Sequence, residues 1–283
     1  MNKKSIKDIT DELVSYTGER CDSEEPIEIS AVQEFLEKGA DVNLRLNFSG
    51  TTCPVFLGVL FEIEWAEENT PLEIQDLVAL FVKHEADLNK KNGRTGTPLA
   101  QSLKEYKCYT AMALINQGAK IREDENLLML ATQIPCRNKE KGETLYGIIN
   151  KLLEHGYDAT ELVDNGKTAP IILAAENGQI EVVKEFIKRG ANVNQTDDKG
   201  VTPIMYACGL PVAKDWAFMQ TRPLELITLL VGAGADATMK SNQKRDALSI
   251  FKKTTVYPEG EYTANEVKEK IINLLEQSIK AFS

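Results

Sequence analysis

The chain is poor in the residues that most catalytic and metal-binding sites need. Its 283 residues include two histidines, His84 and His155. No His-x-x-x-His, Glu-x-x-His or Gly-x-Ser-x-Gly spacing accompanies them, which excludes a recognisable zinc site or Ser-His nucleophile. Five cysteines (Cys21, Cys53, Cys108, Cys136, Cys208) lie 28 or more residues apart. An odd number with no CxxC pair argues against a zinc knuckle and against a disulfide framework, so reduced structural thiols are expected. No apolar run reaches the roughly 18 residues that span a bilayer. The start, MNKKSIKDITDELVSYTGER, mixes charges among its apolar residues and lacks the core of a secretory signal. A soluble, cytoplasmic chain is expected, and the sequons at Asn47 and Asn194 carry no weight there. Basic excess is missing as well. A net charge of -10 and a pI near 5.0 disfavour nucleic acid, because phosphate neutralisation needs a concentrated basic surface.

What is present first suggests a nucleotide site. Gly166-Lys167-Thr168 looks like the end of a phosphate-binding loop, but the glycine such a loop needs five positions earlier is Glu161. A carboxylate there repels phosphate, and no hydrophobic strand precedes the turn. No cofactor, metal or small-molecule substrate is expected.

An internal repeat explains the stretch. KRGANVN, ending at Asn194, recurs as EKGADVN, KHEADLN, NQGAKI, EHGYDAT and GAGADAT. Anchored on Gly39, Glu85, Gly118, Gly156, Gly190 and Gly234, the spacings are 46, 33, 38, 34 and 44, a period of about 33 with insertions. Upstream markers recur too: GTPLAQSL, APIILAAENG and VTPIMYACG, with weaker copies in TCPVFLGVL and DALSIF. On these motifs the chain resembles the ankyrin-repeat family, nearly completely between 164 and 207 and more weakly over most of its length. In that register Gly166-Lys167-Thr168 is a hairpin turn with one inserted residue.

The unit also makes physical sense by itself. Ile180, Val183, Phe186 and Ile187 form one helix face, Gly190 supplies a left-handed residue past its end, and Lys188 and Arg189 suit the dipole. Thr97-Pro98 and Thr202-Pro203 start first helices, and Ala174, Ala175 and Ala207 let paired helices approach. A lone pair cannot bury both faces, so several must stack. The anchors give about seven pairs, roughly 5–38, 52–84, 97–117, 125–155, 169–189, 202–233 and 246–280. The expected architecture is an all-α ankyrin-repeat solenoid of stacked helix pairs with β-hairpin-like connections. It forms a single domain over 1–283, with caps at about 1–43 and 239–283 around repeats at about 44–238. In the last helix Thr263 and Glu266 read as a capping box, and Val267, Ile271, Leu274, Leu275 and Ile279 as its buried stripe.

His84 and His155 share one repeat position at a helix end and read as structural. Asp197-Asp198 and Glu67-Glu68 read as solvated acids, and the chain is expected not to be an enzyme. The resemblance implies a noncatalytic module that binds an unidentified protein through hairpin tips, inner helices and loop insertions. Early tips are basic (Arg45, Lys90, Lys91, Arg94), middle tips acidic (Glu161, Asp164, Asp197, Asp198), and late tips basic again (Lys240, Lys244, Arg245). The insertion GLPVAKDWAFMQTRP carries Trp216, Phe218 and Met219, residue types favoured at interface cores. The insertion around Trp65 ranks second and could instead lengthen a helix. A monomer is expected. A self-assembling structural protein and an inhibitor covering a basic partner surface are the alternatives.

Overall fold

The computed structural model describes residues 5–23, 27–48, 51–65, 71–91, 96–135, 139–209, 223–254, 256 and 263–283. The chain divides into two compact units, Met1–Glu125 and Asn126–Ser283. The first holds α1 (Ile6–Asp22), α2 (Ile29–Glu37), α3 (Val55–Trp65), α4 (Pro71–Lys83), α5 (Pro98–Lys104) and α6 (Cys108–Asn116). Ahead of α3 lies an antiparallel hairpin of β1 (Arg45–Phe48) and β2 (Thr51–Pro54), with Arg45 opposite Pro54 and Phe48 opposite Thr51. The second unit holds α7 (Leu127–Thr132), α8 (Lys139–Glu154), α9 (Pro170–Glu176), α10 (Ile180–Lys188), α11 (Pro203–Gly209), α12 (Pro223–Gly232), α13 (Ala247–Phe251) and α14 (Ala264–Phe282).

The helices pair in chain order, α1 with α2 through α13 with α14. In the second unit the first helices α7, α9, α11 and α13 contact one another in a row, and α8, α10, α12 and α14 form a second row. Short first helices of seven residues or fewer and longer second ones make two unequal layers. The first unit departs from this at α3, whose 11 residues exceed the seven of α5. The insertion there does lengthen a helix.

Burial follows the sequence pattern. Ile180, Val183 and Phe186 are buried with Ala174, Ala175 and Ala207, while Ile187 is half-buried. Beyond α10, Gly190 has φ +89° and the amides of Gly190 and Ala191 donate to the carbonyls of Ile187 and Phe186. Thr97 caps α5 by accepting from the Ala100 amide at 3.3 Å, while Ala169 provides no side-chain cap to α9. The capping box of α14 is complete: Thr263 accepts from the Glu266 amide, and Glu266 accepts from the Thr263 amide at 2.8 Å. Val267, Ile271 and Leu275 of that helix are buried, with Leu274 and Ile279 half-buried. A bridge between Val163 and Thr168 closes a turn over Gly166 and Lys167.

The GADVN-like signatures are sutures. The aspartate orders its own turn: Asp41 Oδ1 accepts from the Asn43 and Leu44 amides, and Asp87 Oδ1 from those of Asn89 and Lys90. The asparagine reaches the next repeat. Asn43 accepts from the Asp87 amide and donates to the Glu85 carbonyl, both at 2.8 Å. Asn194 does the same to Asp236 and Gly234, at 2.7 and 3.0 Å. Each such pair of bonds contributes roughly 1 kcal/mol per bond and fixes the stacking register.

Candidate functional site: a groove beside α11

Two hairpin tips and three first helices of the second unit enclose a cavity of about 610 Å³. Asp197 shapes the first tip. Its Oδ1 accepts from the Lys199 and Val201 amides at 2.9 and 2.8 Å, and its Oδ2 accepts from the Tyr206 hydroxyl at 2.7 Å. The second tip is closed by the Ser241 amide donating to the Arg245 carbonyl at 2.9 Å. The tips are then laced together. Asp198 N-H donates to the Lys167 carbonyl, Asn242 N-H to the Lys199 carbonyl, and Asn242 Nδ2 to the Asp198 carbonyl, at 2.9, 2.9 and 3.0 Å. Gly200, at φ +71°, is required here, since a Cβ would lie 2.8 Å from Asn242 Oδ1.

Inside the groove, the half-buried Val201, Tyr206 and Ile250 give an apolar floor, with Met205 buried beneath it. Glu176, Asp198, Lys199 and Arg245 supply charge. Burial raises the Glu176 pKa; Lys199 opposes that shift and the negative charge of Asp197 adds to it. The Tyr206 phenol is held well above its ordinary value, first by burial and then by its bond to Asp197 and the charge of Glu176. It is a fixed donor and not a base. Met205 and Tyr206 were missed in the sequence; the available signal was two bulky residues in VTPIMYACG where GTPLAQSL has Ala100 and Gln101.

The other sequence-derived site residues are dispersed. Asp198 borders the groove, whereas the carboxylate of Asp197 is committed to its own turn and to Tyr206. Lys91 pairs with Asp124 at 2.6 Å, and Arg122 adds a second contact at 3.1 Å; these bonds bring the Asp124 pKa down to about 2. Trp65 ends α3. Arg94, Trp216, Phe218 and Met219 lie outside the described residues, as does the side chain of Trp65. His84 and His155 follow α4 and α8, where backbone amides, their own included, take the terminal carbonyls. Cys53, Cys108 and Cys208 are buried thiols in no disulfide; burial pushes the Cys53 thiol up to about 12, which leaves no reactive thiolate there. Among the described residues no helix is long and apolar enough to cross a membrane, and no cluster of His, Cys, Asp or Glu could hold a metal.

Paired helices in two rows, positive-φ residues after the second helices, and asparagine sutures between laced hairpins are the construction of the ankyrin-repeat fold. Residues 142–214 match the family model for ankyrin repeats in three copies. The chain is 28% identical over 161 residues to the ankyrin repeat protein YahD of Escherichia coli, covering 56% of this chain and 73% of that one. It is 30% identical over 141 residues to alpha-latrocrustotoxin-Lt1a of Latrodectus tredecimguttatus, covering 48% of this chain but only 9% of the toxin. The ankyrin repeat domain of human ASB11 shares the fold at a TM-score of 0.55 and 16% identity, over 93% of this chain and 96% of that domain.

Proposed function

We propose that the protein is a noncatalytic, cytoplasmic binding module, which engages a partner protein through the groove beside α11 and the tips that border it. One observation carries this reading. The polar groups along the repeat joints are spent on sutures, whereas Glu176, Asp198, Lys199 and Arg245 line an open apolar floor without an ion pair or side-chain hydrogen bond among the described residues. Uncommitted charge around apolar surface is what an interface rim and core require. Asp197 serves the site by setting the Tyr206 ring, and Lys91 and Trp65 belong at most to a separate contact.

Affinity capture from the native lysate, comparing wild type with a variant of the half-buried floor residue Val201, Val201→Arg, tests the groove. Loss of captured protein with unchanged helical circular dichroism is expected, and equal capture by the variant moves the site elsewhere. Replacing Trp216, Phe218 and Met219 together by alanine tests the insertion as a second contact. The same preparation should scatter light as a monomer and melt as a single domain, with no shift on adding EDTA or ATP with magnesium. A concentration-dependent mass would favour self-assembly.

A further inference from the structure

We propose that the groove receives an arginine side chain of the partner at Glu176, within an extended segment that also presents an acidic residue to Arg245. The inference rests on the protein-binding reading and gives the partner a chemistry. Glu176 stands on α9 and Arg245 precedes α13, while α11 contacts both of those helices and lies between them. The groove therefore carries a carboxylate on one side of its floor and a guanidinium on the other. Two like charges would call for a uniformly charged partner; this arrangement calls for both signs, in a fixed order.

The floor selects what carries the positive charge. Val201 and Ile250, both half-buried, offer apolar surface along which a long alkyl stem can lie with its charged head beyond. The Tyr206 ring is held by its hydroxyl bond to Asp197, so its face is preset for a planar guanidinium, which stacks better than a lysine ammonium. Glu176 is exposed enough for an incoming guanidinium to reach, and a cation there adds to the favourable charge of Lys199 against the partial burial that raises its pKa. Phosphate-bearing ligands are disfavoured by Glu176 and Asp198 together. Spacing follows from the helices: two helix-to-helix steps of about 8–10 Å each, shortened by long side chains, correspond to an arginine and an acid about three extended residues apart.

The probe is a blocked hexapeptide, acetyl-GRAGDG-amide, titrated into the full-length 15N-labelled protein. Shifts should cluster at the amides of Lys199, Val201, Ser241 and Asn242. Glu176→Gln should weaken binding about tenfold, the loss of one charge-assisted bond, with unchanged circular dichroism, because Glu176 is exposed. Arg245→Glu should weaken this peptide and prefer one with lysine in place of its aspartate. Equal binding of a lysine-for-arginine probe, absence of these shifts, or indifference to Glu176→Gln overturns the proposal. Panning a displayed peptide library on wild type and Val201→Arg separates the two levels. Groove-dependent peptides without arginine overturn this inference and leave the binding-module reading standing, whereas a library that yields nothing removes both.

Discussion

Lys107 in the first unit and Gln179 in the second occupy the same place, immediately before a second helix, and do the same task with different chemistry. Gln179 Nε2 donates to the carbonyls of Ala131, Thr132 and Ile134 at the end of α7, at 3.3, 3.1 and 2.6 Å. Lys107 Nζ donates to the Phe61 carbonyl of α3 at 2.9 Å, and Lys107 is 5% exposed. A neutral amide can be buried on hydrogen bonds alone. A buried ammonium also needs a counter-charge, and Glu64 supplies it, while its carboxylate caps α6 by accepting from the Tyr109 and Thr110 amides at 3.1 and 2.9 Å. One departure from the repeat pattern thus required a second, a helix turn away. The lengthened α3 is what carries Glu64 to that position.

The sharpest way to break this comparison is to remove each donor. Lys107→Met should destabilise by about 2–3 kcal/mol, since it removes the cation beside Glu64 and the donor to the Phe61 carbonyl together, against about 1–2 kcal/mol for Gln179→Met. The two should also differ in pH dependence. Burial already raises the Glu64 pKa, and Lys107 is among the groups that lower it. Losing the cation raises it further. A raised acid contributes its stability below the ordinary glutamate value and loses it as pH rises through the folded value. The Lys107→Met deficit should therefore be largest at neutral pH and shrink in acid, across the window between those two values. Gln179→Met should show no such trend. Urea melts of both variants at pH 4 and pH 7.5 settle it, and a pH-independent deficit for Lys107→Met would remove Glu64 from the account.

The hairpin regions of the two units allow a second test, at about 1–3 kcal/mol for overpacking. A Cβ on Gly58 would lie 2.2 Å from the Phe48 ring, so Gly58→Ala must push the β1 side chain off α3. A Cβ on Gly200 meets Asn242 Oδ1 at 2.8 Å and its backbone N at 3.1 Å, with φ +71° adding strain. Both variants should melt lower. Only Gly200→Ala should disturb the groove amides of Ser241 and Asn242 in NMR spectra.

The elements were legible because each is local. Anchor spacing located the helix pairs, Gly190 has the positive φ its position required, and Thr263 with Glu266 forms the expected box. The ties between repeats were not, because they join residues about 30 to 48 positions apart whose types have commoner uses. No local pattern marks Lys107 or Glu64, yet a bond bridges 46 residues from Lys107 to Phe61. The groove was hidden for the same reason: Glu176, Tyr206 and Arg245 belong to three separate repeats, and only stacking brings them together. Asp197 was legible as a tip residue but not as an inward one, since nothing local announces its bond to Tyr206.

The smallest expected effect has the opposite sign. Where Gly39 and Gly118 in the first unit and Gly156, Gly190 and Gly234 in the second follow their second helices, α4 is followed by Glu85, held at φ +66°. An L side chain is strained there, and glycine is not. Several bonds keep the conformation in place: the Glu85 and Ala86 amides donate to the Val82 and Phe81 carbonyls, and the Glu85 carbonyl accepts from Asn43 Nδ2. All are backbone groups on the Glu85 side, so glycine preserves them. Glu85→Gly should then stabilise the protein by about 0.5–1 kcal/mol, raising the urea midpoint without changing the slope. Glycine's greater freedom in the unfolded chain works against this gain. In the background of Asn43→Ala, which frees the Glu85 carbonyl, the stabilisation should shrink. A lower midpoint for Glu85→Gly in the otherwise unaltered chain would mean that the glutamate side chain makes a favourable contact outweighing its backbone strain.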